Sequence, residues 1–120
     1  MAVRGFRGAI QVPEDSVEAL SVAVPKLLNT IFKENGVSED DLISILFTAT
    51  PDLTSDFPAA AARALALGDV PLICASEIDV KGSMPRVIRV LIHADSKLGR
   101  SQIRHVYLDG AEALRRDLAQ

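Results

Sequence analysis

The chain has 120 residues, of which 48% are hydrophobic and 24% charged, with a formal net charge of −3. One globular domain spanning residues 1–120 fits that length, and a fibrous, disordered or low-complexity chain is excluded by the composition. The acidic balance argues against a nucleic-acid partner, which would call for clustered positive charge.

Cys74 is the sole cysteine, so an intramolecular disulfide and a thiolate zinc site are both ruled out within one chain. The start shows no apolar stretch behind basic residues, and no apolar run reaches the roughly 20 residues that span a bilayer. A cytoplasmic protein with no membrane contact is expected. The 13 basic residues divide into nine Arg and four Lys. Arginine's planar fork suits small carboxylates and phosphates, although genomic base composition would produce the same bias.

In chain order, residues 2–12 are β-branched and glycine-rich and predict a strand. Asp15 with Glu18 resembles a capping box. Val17, Leu20, Val24, Leu27, Leu28 and Ile31 then keep a helical period up to Gly36, a C′ residue, with Pro25 expected to kink or break the helix. Ser38 and Asp41 suggest a short second helical turn. Residues 43–49 read as a buried strand ended by Thr50-Pro51-Asp52. Pro58 opens an alanine-rich helix closed by Gly68, and strands are expected over 70–78, 87–94 and 105–108. The fold class is α/β or α+β: a mixed sheet with helices packed on one side.

Several charges fall inside apolar strands. Alternation puts Val87, Arg89, Leu91 and His93 on one face of a strand. A guanidinium there must reach solvent, meet an anion, or pair with a neighbouring strand, where Glu77 is the obvious partner. Arg7 repeats the pattern between Phe6 and Gly8, and the glycines around it would admit a ligand or a second backbone. Arg63, Arg115 and Arg116 read as solvated surface residues. Neither His93 nor His105 belongs to a recognised catalytic set, no nucleophile elbow or phosphate-binding glycine loop is present, and Cys74 in its apolar run reads as a small buried hydrophobe. Taken alone, these residues describe an anion-binding domain with arginines on strands, and no reaction.

The segments Arg4-Gly5-Phe6-Arg7-Gly8-Ala9, Ala49-Thr50-Pro51-Asp52-Leu53, Phe57-Pro58-Ala59 with Arg63, Glu77-Ile78-Asp79-Val80, Arg86-Val87-Ile88-Arg89-Val90 and Gln102-Ile103-Arg104-His105-Val106-Tyr107-Leu108 occur in this order. In these residues the chain resembles the monofunctional chorismate mutases of the small trimeric α/β pseudo-barrel type. The resemblance implies a homotrimer with active sites at subunit interfaces. It also implies a pericyclic rearrangement of chorismate, a dianionic enol-pyruvyl ether, to prephenate, without a cofactor or metal. By the same resemblance, Arg7, Arg63 and Tyr107 bind substrate carboxylates, Arg89 meets the ether oxygen, and Glu77 holds the ring hydroxyl. Cys74 and Phe57 line the pocket, and Leu114 with Arg115 cover its mouth.

Two departures stand out: Ala60 occupies a position where the family often has Lys, and little chain follows Arg115. Cys74 and Glu77 are three apart, so both lining one pocket requires a bulge or an irregular strand end. The rival readings are a non-enzymatic trimer binding small carboxylates in its clefts, and an imine hydrolase, for which no water-activating group is apparent.

Overall fold

The protein is described by a computed structural model covering residues 1–114. Five strands, β1 (Ala2–Gln11), β2 (Leu42–Ala49), β3 (Leu72–Ser76), β4 (Val87–Ser96) and β5 (Val106–Leu108), form one sheet in the order β3-β2-β4-β1-β5. β4 runs antiparallel to both its neighbours, whereas β2–β3 and β1–β5 are parallel, so the sheet is mixed. Helices α1 (Val17–Asn35) and α2 (Pro58–Ala61) pack on one face. No described helix is long and apolar enough to cross a membrane.

Strand alternation builds the core. Phe6 and Ile10 of β1, Ile45 and Phe47 of β2, and Ile88, Val90 and Ile92 of β4 point to the helical face. There they meet Leu20, Val24, Leu27, Leu28 and Ile31 of α1. Val17, the first residue of the expected apolar stripe, is instead half exposed at the helix start. Gly8 allows the close approach of β1 to α1: a Cβ there would lie 2.6 Å from Ile31 Cδ1 and 3.1 Å from Leu27 Cδ1. This glycine therefore serves helix packing.

Ser16, and not Asp15, caps α1, its side chain accepting from the Ala19 amide at 3.1 Å. Asp15 is used across the fold, where it accepts from the backbone N–H groups of Thr54 and Ser55. Gly36 ends the helix in the left-handed region as expected, with φ of 63°. The helix is not broken at Pro25. The carbonyl that loses its donor belongs to Ser21, on the exposed side, where water can take it.

The alanine-rich helix is shorter than expected. After Ala61 the chain tightens into a 3-10 turn, Ala62–Leu65, and stops at Ala66, itself left-handed at φ 49°, two residues before Gly68. Reversal at Ala66 lets Leu67 bury its side chain and brings the chain to β3. β3 is likewise shorter than the apolar run around it. β2 carries an irregularity at Ile43, where the register against β4 slips.

Candidate active site

The sheet face away from α1 and α2 carries the chemistry. On β4, Val87, Arg89, Leu91 and His93 lie there as alternation predicts, and the register sets Thr48 of β2 opposite Arg89 and Arg7 of β1 opposite Leu91. Tyr107 of β5 pairs with Ala9 and so shares this face. One end is covered by the turn after β5, where Ala111 and Leu114 pack with Ala9, Val87, Met84 and Tyr107. Beside that covered end lies an open pocket of about 330 Å³ lined by Arg7, Gly8, Leu46, Thr48, Glu77, Arg89, Val90, Leu91 and Tyr107.

Glu77 enters from just beyond β3. Its backbone N–H donates to Ala49 O at 2.9 Å, which prolongs the β2–β3 ladder by one residue and turns the side chain to the pocket face. The carboxylate Oε2 lies 3.3 Å from Arg89 Nε and also accepts from the Thr48 hydroxyl. The ion pair considered from sequence is therefore present. Its closest approach is at Nε, and the terminal nitrogens of Arg89 have no hydrogen-bond partner among the described residues, so they can take an anion. The Arg89 side chain is 44% exposed and that of Glu77 22%, an arrangement open to a ligand from the solvent side. Arg7 is held through its main chain, whose N–H donates to His105 Nδ1 at 3.0 Å.

The structure thus unites Arg7, Glu77, Arg89 and Tyr107. It does not bring Cys74 to them. The register Phe47↔Cys74, Thr48↔Ala75, Ala49↔Ser76 runs without a bulge, so Cys74 faces the helices while Glu77 faces the pocket. The Cys74 sulfur accepts the Ala59 N–H at 3.4 Å. Cys74 therefore lies on the opposite face of its own sheet from Glu77, without the bulge that would have put both on one face. Phe57 and Arg63, also assigned to the pocket, flank α2 on that other side of the sheet, both exposed. Leu114 sits half-buried beside Tyr107, and Arg115 falls outside the described residues.

Sequence reasoning passed over Thr48, Leu46 and Leu91. For the first two the signal was available: in the strand read as wholly buried, Ser44, Leu46 and Thr48 alternate with Ile45 and Phe47 and share the face of Arg89.

A mixed sheet with arginines, a carboxylate and a tyrosine gathered on its open face defines a small anion-binding α/β protein. The family model of chorismate mutase type I matches residues 3–118, and the chain belongs to that family. It is 49% identical over 117 residues to chorismate mutase AroH of Thermus thermophilus, covering 97% of this chain and 96% of that protein. It is 40% identical over 120 residues to chorismate mutase AroH of Bacillus subtilis, covering 99% and 94%. A solved chorismate mutase from Clostridium thermocellum superposes with a TM-score of 0.89 at 41% identity, covering 92% of this chain and 98% of that one. Family and relatives favour an isomerase of chorismate over a non-catalytic carboxylate binder.

Proposed function

We propose that residues 1–120 form a single cytoplasmic chorismate mutase domain that rearranges chorismate to prephenate at a site shared between two copies of the chain, three copies making the assembly. The observation that carries the site assignment is the Arg89–Glu77 pair at 3.3 Å, opening into the pocket that holds Arg7 and Tyr107. In this reading Arg7 and Tyr107 engage substrate carboxylate, Glu77 accepts the ring hydroxyl, and the terminal nitrogens of Arg89 meet the ether oxygen. A concerted bond exchange requires no nucleophile or proton relay. Its rate is raised by holding the substrate folded and by placing fixed positive charge where the breaking C–O bond leaves negative charge. Arg89 stands on a central strand, so its charge is in place before the reaction begins.

A shared site is supported by what one chain leaves apart. Phe57, Arg63 and Cys74 cannot reach the pocket of their own chain through the sheet, yet they lie around edge strand β3. That edge is apolar and bare: Ile73 is 64% exposed and Phe57 71%. Such an edge calls for a covering partner. A neighbouring copy seated there would set Phe57, Arg63 and Cys74 of one chain against Arg7, Glu77, Arg89 and Tyr107 of the next, with Leu114 and Arg115 at the rim.

Mixing two inactive variants, Arg89→Gln and Arg63→Gln, after dissociation and reassembly tests this reading. Chorismate consumption is expected to return at about a quarter of the sites, the chance that neighbouring copies supply complementary intact halves. A mixture as inactive as its parts, from assemblies shown by light scattering to have exchanged subunits, would refute the shared site.

A further inference from the structure

Among the described residues the carboxylate of Glu77 has two anchors, and of these Arg89 alone belongs to the catalytic reading so far. Thr48 is the other. It stands one residue from the end of β2, directly opposite Arg89 in the register, and its hydroxyl donates to Glu77 Oε2, the same oxygen that meets Arg89 Nε. The three residues converge from three strands or strand ends: β2, β4 and the residue after β3. Thr48 has a β-branched side chain with few χ1 options, so its hydroxyl is held by the strand, whereas Glu77 has a long side chain at a strand end.

We propose that Thr48 is a positioning residue for the rearrangement, holding Glu77 through Oε2 so that this carboxylate approaches Arg89 most closely at Nε and takes no hydrogen bond from its terminal nitrogens. The inference rests on the Glu77–Arg89 site described above. Arginine and a carboxylate favour a two-pronged contact that would occupy a terminal nitrogen as well. With the Thr48 hydroxyl competing for Oε2, the carboxylate stays in a one-pronged contact and the terminal nitrogens of Arg89 remain available to the ether oxygen. Oε1 takes no hydrogen bond from the described residues and is left for the substrate hydroxyl.

The test compares Thr48→Val, which keeps the shape and removes the donor, with Thr48→Ser, which restores the donor. Thr48→Val is expected to lower kcat about tenfold to a hundredfold, as befits a lost hydrogen bond to a charged group, with KM changed by less than about threefold. Thr48→Ser is expected to recover most of that loss. Should Thr48→Val not fold, Thr48→Ala makes the same comparison. In a Glu77→Gln background, Thr48→Val is expected to add no further loss, since Thr48 acts through Glu77.

A Thr48→Val enzyme with native kcat, beside a severely slowed Glu77→Gln enzyme, overturns the role of Thr48 and leaves the site reading standing. So does a Thr48→Ser enzyme as slow as Thr48→Val, or an equal Thr48→Val loss in both backgrounds. Full activity of Glu77→Gln overturns the site reading itself, and Thr48 with it.

Discussion

Replacing Arg89 by glutamine removes one positive charge from the pocket while leaving the sheet intact. The side chain is 44% exposed, so the relevant screening is that of a protein surface and not of a dry interior. With an effective dielectric near 20, a full charge about 4 Å away contributes about 4 kcal/mol. The ether oxygen gains only part of a charge in the transition state, which leaves about 2 kcal/mol, or roughly thirtyfold in rate. Glu77 adds to this. With its cation gone from 3.3 Å, its negative charge faces the developing one on the substrate. Together these bring the expected fall in kcat to about 10²–10³-fold, the scale of a lost oxyanion-hole donor. Arg89→Lys recovers only part of it, because one ammonium cannot serve both Glu77 and the ether oxygen as the guanidinium fork does. The assay is chorismate absorbance under saturating substrate, with thermal unfolding as the folding control. A half-exposed ion pair contributes about 0–1 kcal/mol, so the melting temperature is expected to move little. An Arg89→Gln enzyme with kcat within about threefold of the parent would refute the electrostatic argument.

Gly8→Ala would force a methyl to 2.6 Å from Ile31 Cδ1 and 3.1 Å from the Val106 carbonyl oxygen. Overpacking of this kind lowers stability by about 1–3 kcal/mol, visible as a melting point several degrees lower at fixed protein concentration. An unchanged melting point would mean that α1 can move off β1 freely. Asp15 is held below its ordinary pKa of 3.8, chiefly by the Ser55 side chain and further by the backbone and hydroxyl of Thr54. Its folded value lies below its unfolded one, so its contribution to stability is complete above that ordinary value and disappears as pH falls through the depressed one. Asp15→Asn is therefore expected to melt earlier than the parent at neutral pH, the gap closing in acid; a gap that widens in acid would contradict the assignment.

The strands and helices were legible because their periods were clean. Arg89 between Val87 and Leu91, and the helical run from Leu20 to Ile31, could be assigned to a face from spacing alone. The parity conflict between Cys74 and Glu77 was also visible in advance, since three residues along a regular strand reverse the side chain. Local chemistry was less decisive at the start of α1: Asp15 was expected to cap the helix, yet its carboxylate is taken by the loop at Thr54 and Ser55, and Ser16 caps instead. The helix ended at a left-handed Ala66 ahead of Gly68, which is left-handed as well, with Leu67 buried between them.

Sequence alone determined which residues carry charge into the sheet, which face each occupies, and, through the resemblance, what kind of substrate they suit. Those properties depend on period and side-chain chemistry, which are local. Tertiary structure decided which strands became neighbours. Only the order β3-β2-β4-β1-β5 sets Thr48 and Glu77 beside Arg89. Pairing between strands distant in the chain depends on the burial of a common core, and no single segment encodes it.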